Sequence, residues 1–156
     1  MTTDTTTSSY TVRRMHAREV ESVRTLYRLC HPTWTEKAAR YYTTEHETLV
    51  AVRSGGLVGY ALLGTAGGHA IAADSGVHPD HRGRGLAFQL HDARMHRARA
   101  RGYDYLVGAT WDRNVAMVRL LDSLGFLPAQ IVENHYPDNE PPDNDGRIYV
   151  RDLRSL

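Results

Sequence analysis

The stretch V-H-P-D-H-R-G-R-G-L-A-F-Q-L-H, Val77 to His91, joins an apolar, strand-like run to a helix-like one. Gly83 and Gly85 alternate there with Arg82 and Arg84. A helix start leaves its first N–H groups unpaired, and the aligned peptide dipoles place roughly +0.5 charge there. Glycines before it let a ligand approach the backbone, and arginines add charge. Such a junction can cradle an anion, a phosphate above all. The competing reading is a plain loop with glycine turns and solvated arginines, and the glycines alone do not separate the two.

The junction also requires a strand feeding a helix, and the flanking patterns supply more of both. Tyr10 to Met15 alternates weakly as a first strand. Val20, Val23, Leu26, Tyr27 and Cys30 form one stripe of a helix over Ala17 to Cys30, which Pro32 stops. A second helical segment covers Thr35 to Thr44. Leu49 to Val52 and Leu57 to Leu63 read as strands joined by Ser54-Gly55-Gly56, and Gly64 to Gly68 is a further loop. Ala70 to Val77 is a strand candidate interrupted at Asp74, Ser75 and Gly76, a pattern that suggests a bulge. Helices are predicted over Leu86 to Ala100 and Asn114 to Leu124, each followed by a stop glycine, Gly102 and Gly125. Strands are predicted over Tyr105 to Thr110, Ile131 to Tyr136 and Ile148 to Leu153. This order implies an α/β or α+β fold with a mixed sheet.

Residues 1–9, rich in Thr and Ser, read as a disordered tail, and 10–156 as a single domain. The formal net charge of +1 supplies no global field for nucleic acid or membrane. No apolar run approaches the ~20 residues of a membrane span. The first residues lack the basic start and apolar centre of a secretory signal, and Cys30 is a lone cysteine, so the expected location is the cytoplasm. The histidines show no metal-ligand spacing, so no metal is expected. Arg94, Arg97, Arg99 and Arg101 read as a solvated helix face.

Two phosphate-binding patterns fail. A dinucleotide fingerprint needs a third glycine where Phe88 stands, and a P-loop needs Gly-Lys-Ser/Thr. A third pattern fits. R-G-R-G-L-A, Arg82 to Ala87, led in by V-H-P, matches the R/Q-x-x-G-x-G/A signature of the GNAT N-acetyltransferase superfamily. N-V-A-M-V-R-L-L-D-S-L-G-F, Asn114 to Phe126, resembles that superfamily's second motif, N-x-x-A-x-x-L-Y-x-x-x-G-F. One helix and one strand separate the two, as in the family, and the resemblance covers roughly Leu49 to Leu153.

The resemblance implies a GNAT-like acyl-CoA N-acyltransferase fold: a central mixed, mostly antiparallel sheet with flanking helices. Acetyl-CoA would lie as co-substrate where the parallel strands Ala70–Val77 and Tyr105–Thr110 splay. By similarity, Ser75, Gly76 and Val77 would offer backbone groups to the pantetheine arm, and one of these amides would polarise the thioester carbonyl. The amides of Arg82, Gly83, Arg84, Gly85, Leu86 and Ala87 would take the pyrophosphate, with Arg82 or Arg84 reaching a further phosphate. Asn114 would touch the pantetheine, serve as an ordinary N-cap, or both.

The implied reaction is direct attack of an amine on the thioester. Alkylamines are mostly protonated at pH 7, so a base must take a proton, and an acid can protonate the leaving sulfur. Here the chain departs from the family: the motif's usual Tyr, a frequent acid, is Leu121, and no Glu lies on Tyr105–Thr110. Asp74 is the first candidate base, against a bulge residue facing solvent. Tyr136 is the candidate acid, against a packed strand aromatic, with His135 and Tyr60 behind it. Water and solvent handling both protons is the remaining option.

Asp138, Glu140, Asp143 and Asp145, with Glu133, would draw a cationic small-molecule amine, unless they form a solvated turn. Trp34, Tyr41 and Tyr42 come from the region that shapes the acceptor pocket in relatives. N-H-Y-P, Asn134 to Pro137, faintly resembles bacterial N-terminal acetyltransferases of ribosomal proteins, which keeps a peptide acceptor open. A non-catalytic acetyl-CoA-binding module is the third reading, and homodimers are common among relatives.

Overall fold

The computed structural model describes residues 10–33, 35–111, 113–137 and 144–156. Its elements are β1 (Thr11–Arg14), α1 (Val20–Cys30), α2 (Glu36–Glu45), β2 (Glu47–Arg53), β3 (Gly56–Ala66), β4 (His69–Val77), α3 (Leu86–Ala100), β5 (Tyr105–Trp111), α4 (Val115–Ser123), β6 (Leu127–Val132) and β7 (Gly146–Asp152). Short 3-10 turns at Ala17–Glu19 and Pro79–His81 precede α1 and α3. Among the described residues the strands order as β1-β2-β3-β4-β5-β7-β6. The β1–β2, β2–β3, β5–β7 and β6–β7 pairs are antiparallel, and β4–β5 is parallel. This is the mixed sheet that the pattern of elements implied.

The chain divides into two compact units. One joins the described residues up to Gly64 with Ala73–Arg94; the other joins Thr65–Ala72 with Met95–Leu156. In the first, β3 is a central strand buried on both faces, hence its nearly unbroken apolar run. Tyr60 and Leu62 pack with Val23, Leu26, Tyr27 and Ala39 of α1 and α2. Ala61, on the opposite face, packs with Leu86 and Leu90 of α3. Burying each such leucine contributes about 2 kcal/mol.

In the second unit β4 pairs with β5 only from Ala70↔Leu106 to Ala72↔Gly108. β4 itself runs as strand from His69 through Asp74–Gly76 to Val77. The strand expected at Ile131–Tyr136 is displaced. Gly125 adopts φ +84, the left-handed geometry that ends α4, and the chain enters β6 at Leu127. Pro128 is tolerated because β6 is the last strand in the sheet order and its register shifts there. Asn134, at φ +50, turns the chain away, so Glu133–Pro137 lie in turns and bends.

Arg94 corrects a second expectation. It is 1% exposed, not solvated, while Arg99 and Arg101 are exposed. Its Nη1 donates to the carbonyls of Leu62 at 3.2 Å and Asp74 at 3.0 Å, and its Nη2 to His91 Nδ1 at 2.9 Å. A guanidinium only donates, so His91 Nδ1 must accept and its proton sits on Nε2. That Nε2–H donates to Ser75 Oγ at 3.1 Å. Burial lowers Arg94 to about 10, which leaves it cationic at neutral pH. Burial, and then the Arg94 charge, pushes His91 well below the usual imidazole range, so it stays neutral.

This neutrality predicts an acid-sensitive stability. Below the ordinary imidazole value of about 6.5 the unfolded chain binds a proton that the folded chain refuses. Stability should therefore fall with decreasing pH by up to ~1.4 kcal/mol per pH unit from this group alone, and be unaffected by it above that value. His91→Gln can keep both hydrogen bonds and cannot titrate, so its urea-unfolding free energy should lose that part of the slope between about pH 5 and 6.5. An unchanged slope would locate the acid sensitivity elsewhere.

Candidate active site

The C-terminal half of β4 gathers the titratable groups of the first unit. Asp74 Oδ2 accepts a hydrogen bond from the Tyr60 hydroxyl at 2.8 Å and meets His31 Nε2 at 2.8 Å. The Asp74 and His31 side chains are 16% and 22% exposed. Tyr60, a candidate acid, is fully buried. Burial, and then the neighbouring Asp74 charge, pushes its phenol up, so it remains a donor to the carboxylate and does not release a proton near neutrality. Tyr27 is pushed up in the same way. Its ring stands 4.9 Å from His31, 5.8 Å from Tyr60 and 6.0 Å from Tyr42. Asp74 is thus a hydrogen-bonded, mostly buried carboxylate and does not face solvent.

The two residues after Ser75 are fitted closely. A Cβ on Gly76 would lie 2.6 Å from a Tyr60 ring carbon and 2.8 Å from Cys30 Sγ, so β4 has no room there for a side chain. The Val77 carbonyl accepts from Arg82 Nε at 3.0 Å and from Cys30 Sγ at 3.6 Å. Arg82 therefore turns part of its guanidinium toward the strand. Burial raises the Cys30 thiol, which keeps it protonated.

Between β4 and α3, Gly83 and Gly85 take φ +75 and +79, and a Cβ on either would meet nothing within 4 Å. Both glycines and both arginines are exposed, and α3 starts at the buried Leu86, followed by the half-buried Ala87. Arg84 and Arg53 each donate an Nη1 hydrogen to the Tyr10 hydroxyl at 3.0 Å. The Tyr10 oxygen accepts both, so its own proton goes to His81 Nδ1 at 2.9 Å. Open backbone before a helix start, with guanidinium groups beside it, fits a phosphate-bearing ligand.

In the second unit Asn114 is the N-cap of α4, its Oδ1 accepting from the Met117 N–H at 3.3 Å. Leu121 is buried. Tyr136 lies on no strand: it sits half-buried after β6, its N–H bound to the Asn144 carbonyl at 2.9 Å and its ring edge-on to His135 at 4.8 Å. Trp34 and the acidic positions 138–143 fall outside the described residues, while Tyr41 is exposed. Among the described residues no group of three or more His, Cys, Asp or Glu is placed to hold a metal ion, and no helix is long and apolar enough to cross a membrane.

Sequence reasoning missed His31, His91, Arg94 and Tyr10. Arg94 had a signal: Leu86, Leu90, Arg94 and Ala98 repeat every four residues along one face of α3. His31 had none, because its partner lies 43 residues away.

The structure resembles that of the ribosomal-protein-S18-alanine N-acetyltransferase from Escherichia coli, with a TM-score of 0.81 at 21% identity, covering 92% of this chain and 94% of that one. It is also similar to a GNAT family acetyltransferase from Elizabethkingia anophelis with acetyl-CoA bound (TM-score 0.78, 18% identity, 94% and 99% covered). A Bacillus subtilis acetyltransferase in complex with CoA shares the fold as well (TM-score 0.79, 16% identity, 92% and 98% covered). No curated protein matches the chain. The model of the Acetyltransferase (GNAT) family matches residues 20–126, the span that holds both motifs, Asp74 and the glycine loop. The chain belongs to the GNAT acetyltransferase family and is an acetyl-CoA-dependent acyltransferase.

Proposed function

We propose that this protein acetylates the primary amine of a small, cationic acceptor, with Asp74 as the carboxylate of its proton-accepting site. The observation that carries this reading is the Asp74 carboxylate, mostly buried yet reachable, held by Tyr60 and His31 beside the aromatic rings of Tyr27 and Tyr42. A mostly buried carboxylate suits a cationic amine by charge.

Acetyl-CoA supplies the activated acetyl thioester. In this reading Arg82, Gly83, Arg84, Gly85, Leu86 and Ala87 hold its pyrophosphate, and the open backbone at the two glycines supports that assignment. Backbone groups of Ser75, Gly76 and Val77, with Asn114, hold the pantetheine arm. Asp74 is the carboxylate of the site that takes the amine proton, and the half-buried phenol of Tyr136 is the proposed donor to sulfur. The protein acts as one catalytic domain in the cytoplasm. A peptide α-amine is the second acceptor class, favoured by the likeness to the Escherichia coli enzyme, whose own acceptor is an alanine of a ribosomal protein.

Thiol release from acetyl-CoA, followed across polyamines, aminoglycosides, amino-acid amides and short peptides, tests the reading. Turnover with the small cationic amines is expected; turnover with peptides alone would move the acceptor to the second class, and none with any amine would sink catalysis. Gly85→Glu should abolish acetyl-CoA binding by calorimetry, since it places negative charge in the phosphate cradle; unchanged affinity would remove the cradle assignment. Asp74→Asn should cut kcat by about 100-fold or more while leaving acetyl-CoA affinity within about twofold. A near-normal rate across pH would remove Asp74 from the chemistry.

A further inference from the structure

We propose that the proton taken from the acceptor amine is held by the imidazole of His31, and that Asp74 acts by orienting and stabilising that imidazole. The inference rests on the acetyl-transfer reading above and assigns the atom at which its proton step occurs.

The geometry is that of a histidine steered by a carboxylate. His31 Nε2 lies 2.8 Å from Asp74 Oδ2. An ionised carboxylate only accepts, so Nε2 carries the hydrogen and the lone pair of the neutral ring is on Nδ1. The same Oδ2 accepts from Tyr60, whose fully buried ring fixes the carboxylate from below. The imidazole is anchored from its own backbone too: the His31 N–H binds the Tyr27 carbonyl at 2.9 Å at the end of α1, and the Tyr27 ring packs against it. Asp74 is held a third way, by Arg94 on its carbonyl. A base built like this is pre-oriented, with three elements securing one tautomer.

The chemistry favours the imidazole. In solution an imidazole titrates near 6.5 and an aspartate near 3.9, so the ring is roughly 400-fold the stronger base toward an ammonium of about 10. Of the two protons that the acceptor nitrogen sheds, one passes to His31 Nδ1. The nitrogen's freed pair forms the C–N bond as the C–S bond breaks with its pair on sulfur. The second proton ends on that sulfur. The imidazolium, with both nitrogens protonated, is stabilised against Asp74 and then returns its proton to solvent.

The groups facing the pair are Tyr27 and Cys30 on α1, Tyr60 on β3 and Arg94 on α3. Burial keeps the two phenols and the thiol protonated, and Arg94, at about 10, stays cationic.

The test compares kcat against pH for the wild type, His31→Gln and His31→Ala, using a cationic amine from the panel. The wild type should show a single-proton acid limb. His31→Gln, which can still donate to Asp74, should lower kcat about 10²–10³-fold, lose that limb and change the acetyl-CoA KM less than about twofold. Added imidazole should restore part of the rate in His31→Ala. A His31→Gln kcat within about threefold of wild type, or an acid limb that survives the substitution, would overturn the assignment. Proton–nitrogen NMR of the wild type reads the same point without turnover. The Nε2–H tautomer is expected above the ring's titration, and an Nδ1–H tautomer would overturn the assignment. A wild type that releases no thiol with any amine, yet shows the Nε2–H tautomer, would count against the acetyl-transfer reading and not against the dyad.

Discussion

The buried guanidinium of Arg94 is the contact on which the candidate site depends. It reaches from α3 to the carbonyls of Leu62 and Asp74, binding neighbouring strands β3 and β4 with one rigid fork. Desolvating a cation costs several kcal/mol, and its three acceptors are neutral, so the arrangement is not the cheapest way to fill a core. It does set position. The carbonyl of Asp74 is held from the α3 face while the carboxylate is held by Tyr60 and His31. His91, kept neutral by burial and by that same cation, carries the constraint one residue further to Ser75. A residue fixed at both ends of its own atoms is what proton transfer needs, since small misplacements at a reacting centre are costly.

Ligand-side and proton-side tasks fall to different parts of the chain chemistry. The loop before α3 relies on backbone: two glycines in left-handed conformations, with empty space where side chains would stand. Its shape is reinforced by Tyr10, which accepts from Arg84 and Arg53 and donates to His81, tying the loop to β2. The Asp74 site relies on side chains, and its glycine has the opposite reason for being one. Gly76 is small because Tyr60 and Cys30 fill the volume a Cβ would need. The proposed proton-accepting place is thus made by packing, and the proposed phosphate-accepting place by leaving room.

Much of this was legible in the residues. The glycine–arginine alternation at Arg82–Gly85, the capping Asn114 and the stop at Gly125 all act locally, so short-range pattern and geometry agree. Leu57 to Leu63 was legible as a strand, while the burial of both its faces came from the packing of helices on either side. Local reasoning failed where tertiary context outweighed it. Ile131–Tyr136 has strand-like composition, but the chain enters β6 at Leu127 directly after the Gly125 stop, and Tyr136 ended in a bend. Arg94 looked solvated by charge, although its fourfold spacing with Leu86 and Leu90 already put it on the buried face.

By itself the sequence determined the class of element at each place, the phosphate-suited junction before α3 and the two motifs that identify the family, because these depend on residues a few positions apart. Only the tertiary structure decided which side chains meet at Asp74. His31 ends α1, Tyr60 lies within β3 and Asp74 within β4, and no spacing rule relates them. They meet because α1 packs on the Tyr60 face of β3 and the neighbouring β4 presents Asp74 to that same face. The hydrophobic burial that docks α1 is blind to chemistry, and it is what brings an imidazole to within 2.8 Å of a carboxylate.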